Sequence, residues 1–560
     1  MSFPFPVLRS LAFRGLIRRA TAAAAVLALP TALHAQRVLG PTTDATVVPR
    51  GMLRVTTGPE WTRGHERYSA GRGRVPKGEV EPFAADFNLD SLGPGQFPAL
   101  AAVSAGVRSI VGGTSGLPVT LGPLETRFDV SVARTPIHVE YGLTRRLTIG
   151  AMFPLVKTWT EVSLQPNKNR DGSTVGLNPR GYATNQTVVS QLQAAAQALG
   201  QLLQSCSGST APECTAVNAD RARAQALVQS ATAAATGVES VYGTSAAKPG
   251  SRFAPADSST LQRSIASRLG ALSADFLAFL GAPLTGTGWI TARPVGATQF
   301  SWGNLQRVLT DTAYGIGADS LISVAMNRLG DVEVGGRFLL FDGVGGIPQL
   351  ARPSGVRLRL AVEGVVRFGT ATRDSIHHFA DVGTGDGQRD LEGRVMADLL
   401  MGRRAWASVS ARYTLQQGDE IRQRVPGTAS DPFPDASRIA VLQRDLGDAI
   451  SLEVSPRYVV SDNLGLSATW QLYRKGSDRY TGSAGPELAL LESGSDQVVQ
   501  RALVSVTYST LAQYFQQKAR TPMEVSLTVG RSLAGSGGVM KQSVTALTVR
   551  VYNQLLEGRR

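Results

Sequence analysis

The chain has 560 residues, of which 42% are hydrophobic and 6% aromatic, and its formal net charge at pH 7 is +14. This composition excludes a disordered chain, and the length is sufficient for one large domain or about three ordinary ones. The basic residues do not form Lys/Arg runs with interleaved aromatic residues, so we expect no nucleic-acid partner.

Residues 1–35 predict a signal peptide. Four arginines between residues 9 and 19 precede the apolar run 20–29, and the segment ends at the small residue Ala35. An apolar run of about ten residues is half of the roughly 20 that a spanning helix needs, so we favour a cleaved signal over a membrane anchor. Cleavage removes four arginines and no acid from the total of +14, which leaves about +10.

Three strands are predicted next, at 52–63, 124–141 and 146–164, and the sequence GLTRR forms a tight turn between the last two. His138 lies near Glu140 on the polar face of the second strand. Such a histidine can be a general base, but it is more often a hydrogen-bonded polar side chain. We predict no catalytic residue and no enzymatic activity.

Residues 181–285 have a different pattern. The segments 187–203, 216–236 and 260–280 carry apolar or alanine-rich runs with helical spacing, which predicts an α-helical insertion. No run of 18 consecutive apolar residues occurs there, so these helices are not expected to cross a membrane.

The two cysteines, Cys206 and Cys214, lie in the sequence CSGSTAPEC inside this insertion. In an exported chain such a pair predicts a local disulfide. A metal site is the alternative, but no histidine or third cysteine lies near, and we favour the disulfide.

Residues 356–368, VRLRLAVEGVVRF, show the dominant pattern of the C-terminal half. Alternate positions are apolar, and Arg357, Arg359, Glu363 and Arg367 lie on the other face, which is the period of a strand. Eight further segments are predicted to be strands: 331–342, 390–402, 404–416, 449–460, 464–475, 496–510, 523–532 and 542–553.

These segments are longer than the five or six residues usual in a soluble sandwich and close to the roughly 9–11 of a tilted membrane-spanning strand. Tight turns such as 402–404 and 461–463 alternate with long loops such as 369–389 and 417–448. Short turns on one rim and long loops on the other are typical of outer-membrane barrels. We therefore predict an all-β fold, a closed antiparallel transmembrane barrel of about 12 strands, with ten or fourteen as alternatives because the connection 510–523 is long.

The predicted organisation is a signal peptide at 1–35, N-terminal barrel strands with a long outer loop at 36–180, the helical insertion at 181–285 and C-terminal barrel strands at 286–560. Strand parity places the insertion on the long-loop side. We favour a cap on the barrel mouth; a plug in the lumen and a docking surface are the alternatives.

Several segments resemble a known family. The sequences at 140–156, 330–341, 359–374, 383–395 and 406–415 are similar to those of outer-membrane barrels of the meta-pathway phenol-degradation family, and more remotely to transporters of long-chain fatty acids and aromatic hydrocarbons. The resemblance covers about half of the mature chain. It implies an outer-membrane location and passage of small hydrophobic or aromatic solutes. The helical insertion and the end of the chain after Tyr552 depart from the family pattern, and no functional residue is carried over.

The histidines and acids of HHFADVGTGDGQRD, which begins at His377, could suggest a metal site. Their spacing fits neither an EF-hand nor a zinc pattern, so we predict a solvated turn and no metal or cofactor.

The charged faces of the strands are expected to line the lumen. The candidates are Glu140, Arg357, Arg359, Glu363, Arg367, Glu392, Arg394, Asp398, Arg412, Glu453, Arg457 and Glu524. Arginines and acids that neutralise one another would give a closed structural or surface-interaction barrel, whereas an arginine excess would give a water-filled conduit for anionic or polarised solutes. We favour solute passage, with membrane lipid and a small molecule as partners; the oligomeric state does not follow from the sequence.

Overall fold

The computed structural model describes residues 44–554 except 73–74, 114–115, 170–171, 282–289, 345–354, 403 and 429–430. The predicted signal peptide therefore lies outside the described residues. Its strands are β1 Met52–Thr57, β2 Glu60–Tyr68, β3 Val80–Pro82, β4 Leu124–Gly142, β5 Leu147–Pro166, β6 Val175–Leu177, β7 Phe253–Pro255, β8 Val324–Leu329, β9 Val332–Asp342, β10 Val356–Phe368, β11 Asp390–Met401, β12 Ala405–Gln416, β13 Asp419–Arg424, β14 Ile439–Asp445, β15 Ala449–Val459, β16 Leu464–Lys475, β17 Arg479–Gly482, β18 Gln497–Ser509, β19 Met523–Ser536 and β20 Met540–Gln554.

Twelve strand positions close into an antiparallel barrel, which confirms the predicted architecture. The order around the ring is β1/β2, β4, β5, β8/β9, β10, β11, β12, β15, β16, β18, β19 and β20, and the last strand pairs with both β1 and β2. Two of the twelve ring positions each consist of two consecutive strands, β1 with β2 and β8 with β9. In the first of them Gly58 separates β1 from β2, with φ of 147° and no room for a side chain because Leu547 O would lie 1.9 Å from a Cβ.

The outer surface of the ring is apolar and the inner surface is ionic. Ile149, Phe153, Val395, Leu466 and Leu527 are among the large side chains exposed on the outside, because alternate residues of a strand point to opposite faces. Closure pairs the backbone groups of the strand edges, as the hydrocarbon of a membrane requires.

The helices lie outside the ring. They are α1 Leu100–Val111, α2 Tyr182–Ser205, α3 Thr215–Ala219, α4 Arg221–Tyr242, α5 Thr260–Leu280, α6 Trp302–Thr310, α7 Leu488–Glu492 and α8 Leu511–Phe515. The predicted helical segments correspond to α2, α4 and α5, whereas α1 was not predicted. None of the described helices is long and apolar enough to cross a membrane.

Helices α1, α2, α4 and α5 pack into a bundle, which we call the cap, at the long-loop end of the barrel. Asp220 and Ser259 begin α4 and α5 by accepting hydrogen bonds from Arg223 N at 3.0 Å and Gln262 N at 3.1 Å. The disulfide between Cys206 and Cys214 is present and ties the connection from α2 to α3. Long loops add the three-stranded sheet β13–β14–β17 and the pair β6–β7 outside the ring.

Candidate functional site: the barrel interior and its two mouths

A network of ion pairs covers the inner face of β9 to β12, and Arg394 is its centre. Strand register places Glu363 opposite Arg394. The guanidinium of Arg394 lies 3.0 Å from the Glu363 carboxylate and 3.4 Å from that of Glu333, and it also contacts Glu392. Arg394 is only 4% exposed. Three carboxylates thus surround one buried cation.

The network continues to both sides of this centre. Arg367 lies 2.7 Å from Asp390 and 3.5 Å from Glu333, and Arg412 lies 3.2 Å from Glu392. We call this connected group, together with Arg337 and Glu140, the charged wall.

Arg337 joins the charged wall to the first strand. It lies 3.3 Å from Glu363 and 3.9 Å from Glu140. The carboxylate of Glu140 is bound by Arg54 through two hydrogen bonds of 2.7 Å. Glu140 is therefore held by Arg54 and Arg337.

The remaining candidates have separate partners. Arg359 lies 3.1 Å from Asp342, Asp398 accepts a hydrogen bond of 2.8 Å from Ser408, and Glu453 accepts one of 3.1 Å from Gln471. The list is completed by Arg457, stacked 5.6 Å from the Trp406 ring, Glu524, 3.2 Å from Arg550, and Arg357, exposed at the short-turn rim with a hydrogen bond of 3.1 Å to Gly343 O.

Arg54 and two members of the charged wall were not among the residues that the sequence predicted. Arg54, Glu333 and Arg337 occur at alternate positions of strands that were predicted, so the period-two pattern could have found them. They were missed because glycines and apolar residues occupy the neighbouring inner positions and hide the charged face.

Pairs of hydroxyl side chains lie on the inner face across the barrel, on β15 to β19, among the charged residues Glu453, Arg501 and Glu524. Ser505 and Thr528 are 2.7 Å apart, Thr507 and Ser526 are 2.8 Å apart, and Ser455 contacts Thr469. We call this the hydroxyl wall. Its side chains are short and uncharged, and they satisfy one another across strand pairs.

The segment 44–49, which precedes β1, lies inside the short-turn mouth. Ala45 N donates to Asp398 at 3.1 Å and Val48 N donates to Thr148 Oγ1 at 2.8 Å. Arg337 donates to Thr46 O at 3.0 Å. Ala45 and Val48 are fully buried. This segment therefore narrows the short-turn mouth.

Phenylalanine rings meet at the long-loop mouth. Phe433 lies 5.6 Å from Phe87, 5.8 Å from Phe97 and 5.5 Å from Phe379, and Phe87 lies 5.3 Å from Phe128. Phe128 belongs to the wall strand β4, and the other rings come from three different long loops. We call these five rings the aromatic cluster; it connects the barrel wall to the hydrophobic core of the cap.

Arg424 fixes the loops around the aromatic cluster. Its guanidinium donates to Ile376 O at 2.6 Å, Ile316 O at 2.7 Å and Pro434 O at 2.8 Å. It also lies 5.6 Å above the Phe379 ring. One buried cation therefore ties three loops by backbone carbonyls.

The loop 369–389 contains a half-buried acid, Asp374, and a buried one, Asp381, outside the membrane-spanning strands. Asp374 accepts from Gly383 N, and Asp381 accepts from Ser375 N at 2.7 Å. Burial and the nearby Asp381 raise the pKa of Asp374 to about 7, and burial raises the pKa of Asp381 to about 6. In the described part of the chain these acids and the adjacent histidines form no cluster able to hold a metal ion.

The chain is similar to known proteins only at the level of solved structures. No protein-family model and no curated protein matches the chain. The COG4313 outer membrane channel from Pseudomonas putida F1 is similar at a TM-score of 0.39 and 8% identity, over 91% of this chain and 99% of that one. A Pseudomonas aeruginosa FadL homologue gives 0.27 and 7%, over 95% and 100%. The P. putida toluene transporter TodX gives 0.25 and 10%, over 91% of each chain. The first of these neighbours is an outer membrane channel.

The geometry gives the location of the protein. A closed ring of twelve antiparallel strands, apolar outside and ionic inside, with short turns on one rim and long loops on the other, is the form in which strands cross an outer membrane. The barrel lies in the outer membrane.

Proposed function

We propose that this barrel carries small hydrophobic or aromatic solutes across the outer membrane. The aromatic cluster is the observation that supports this proposal most. Four of its rings are buried and that of Phe379 is partly buried, so an apolar solute that enters between them would exchange water for ring surface. Phe128 places that contact on the barrel wall.

The charged wall argues for apolar rather than anionic solutes. Arg394, Arg367 and Arg412 each face carboxylates at ion-pair distance, so their positive charge is already neutralised. An anion entering the lumen would have to compete with these acids. An apolar solute would instead follow the hydroxyl wall, where short side chains need no counter-ion.

A non-conducting structural barrel is the second candidate. The segment 44–49, in which Asp44, Ala45 and Val48 are buried, and the low exposure of the charged wall favour it, because both leave little open cross-section in this conformation.

Uptake of N-phenylnaphthylamine, an aromatic fluorophore that intact outer membranes exclude, separates the two. Cells that produce the barrel should accumulate the probe faster than cells without it. Phe433→Ala should slow this uptake because it removes the ring that contacts three others. Phe276→Ala, which also removes a buried ring but inside the cap, is the matched control and should have little effect.

A barrel that is folded and inserted, shown by its heat-modifiable migration, but gives no uptake would contradict transport and favour the structural role. Discrete conductance steps in planar bilayers with no probe uptake would instead favour a polar conduit.

A further inference from the structure

Two neighbouring rows of residues on the lipid-facing surface of β2, β4 and β5 combine indoles and cations. In the first row Trp61 is opposite Ala133, and Ala133 is opposite Lys157. In the second row Arg63 is opposite Ser131, and Ser131 is opposite Trp159. In the first row the indole is therefore on β2 and the cation on β5, whereas in the second row the cation is on β2 and the indole on β5.

The centre of this patch is lower than its rim. Ala133 and Ser131 are small residues on the middle strand, whereas Trp61 is 46% and Trp159 is 51% exposed. Two strand spacings separate the outer strands, which is about 10 Å. Two indoles and two long cationic side chains thus surround a shallow depression with a small floor.

The two cations differ from those of the lumen. Both Arg63 and Lys157 are exposed, and among the residues that the structure describes neither forms an ion pair with an acid. Arg63 Nε donates a hydrogen bond to Ser131 Oγ at 3.2 Å, so its guanidinium lies beside the floor of the depression. Inside the barrel, by contrast, Arg394 contacts three carboxylates.

The patch lies at the upper boundary of the apolar belt. Phe153 and Leu155, which precede Lys157 on the same face of β5, are exposed apolar side chains. On the other side of the patch, toward the long loops, Asp129 is opposite Glu161. An unpaired arginine costs little free energy at this interface but about 2–4 kcal/mol at the bilayer midplane. Along β5 the exposed side chains therefore change from apolar to basic and then to acidic, as expected on passing from the acyl chains of a membrane into its headgroups.

We propose that this patch binds the phosphate-bearing headgroup of an outer-leaflet lipid. The phosphate lies over Ser131 and Ala133, between Arg63 and Lys157, and accepts hydrogen bonds from both. The acyl chains run down β5 along Leu155, and the two indoles flank the headgroup at the level typical of aromatic girdles.

The test uses full-length barrel in neutral phosphatidylcholine nanodiscs with a small fraction of a bis-phosphorylated glucosamine lipid. The amount of glycolipid that co-purifies after detergent exchange is measured by mass spectrometry. Arg63→Gln with Lys157→Gln should weaken retention about 25-fold, the product of two surface cations that contribute about fivefold each. Arg474→Gln with Arg531→Gln removes two other exposed barrel cations, on β16 and β19, and serves as the matched control.

Each possible outcome either supports or overturns the proposed lipid site. Loss of retention in the first double variant alone, with intact heat-modifiable migration, supports the site. Equal loss in both double variants would mean general attraction to a charged surface and would overturn the proposal. Retention that persists in the first variant, or that the dephosphorylated lipid shares, would overturn it as well. Release of the glycolipid by millimolar inorganic phosphate would reassign the patch to free phosphate.

Discussion

The barrel and the cap place their apolar residues on opposite sides. In the barrel, Leu527 is 53% exposed while Arg394 is buried; in the cap, Leu272 is fully buried while Arg223 is exposed in an ion pair with Asp275. The barrel therefore exposes its apolar residues to lipid, whereas the cap buries its apolar residues away from water. The difference shows that the barrel buries charged side chains, which must be neutralised by ion pairs, whereas the cap buries apolar side chains, which are removed from water.

This difference predicts different kinds of damage on mutation. A substitution in the charged wall leaves uncompensated charges, and a substitution in the cap leaves a cavity. The predictions below use this contrast, from the largest expected effect to the smallest.

Arg394→Met should have the largest effect. It removes the cation that faces Glu333, Glu363 and Glu392, and these acids then remain buried with reduced compensation. Breaking a buried ion pair in this way costs about 3–5 kcal/mol of the free energy of unfolding. Urea unfolding of the detergent-solubilised barrel, followed by heat-modifiable migration, measures it. Arg394→Lys, which keeps the charge, should lose less, and equal losses would show that charge is not what the site requires.

Leu272→Ala should cost about 3 kcal/mol, the typical result of deleting a buried leucine side chain. Leu272 lies in α5 within the hydrophobic core of the cap. The loss should appear as earlier proteolysis of the cap while the barrel keeps its heat-modifiable migration. If the barrel unfolds at the same urea concentration as the cap, the two regions form one cooperative unit and the contrast between them is weaker than stated.

Removing the disulfide should have a somewhat smaller effect, also confined to the cap. Cys206 and Cys214 are separated by 8 positions in the sequence. Closing so short a loop stabilises the folded state by about 2.5 kcal/mol through the entropy of the unfolded chain. Cys206→Ser with Cys214→Ser should therefore speed proteolysis between α2 and α3 but leave barrel unfolding unchanged; a shift of the barrel transition would contradict this.

The barrel could be predicted from the sequence to a greater extent than the rest. The period of two identified the twelve positions because each strand must satisfy lipid on one face and the interior on the other. The connection 510–523, which left the strand number open, contains the short helix α8 rather than a further strand. The split of one position into β8 and β9 was not predicted, since a strand break has no periodic signal.

The mouths of the barrel could not be predicted in this way. The aromatic cluster joins Phe87, Phe128 and Phe433, which are far apart in the sequence and share no motif. Arg424 binds backbone carbonyls, which every residue has. Charge pairing shows the same limit: the sequence indicated that Arg394 faces the interior, but only strand register determines that Glu363 lies opposite to it.

The smallest expected effect is a pH dependence confined to the loop 369–389. Burial raises the pKa of Asp374 to about 7 and that of Asp381 to about 6, above the ordinary range of an aspartate, so the folded loop binds protons more tightly than the unfolded chain. Protonation therefore stabilises the loop: this contribution is complete below about pH 4 and is lost as the pH rises through 6 to 7. Hydrogen-exchange protection factors of this loop, corrected for intrinsic rates, should be higher at pH 5 than at pH 8, while those of β11 and β12 should stay constant. Asp374→Asn with Asp381→Asn should reduce the difference, because amides do not titrate. Asp331, which accepts a hydrogen bond from Ala371 N at 3.0 Å and has its pKa raised to about 7 by burial and Asp386, should account for the rest. A loop equally protected at both pH values would mean that water reaches these carboxylates and that the long-loop mouth is more open than the buried rings of Phe87 and Phe433 indicate.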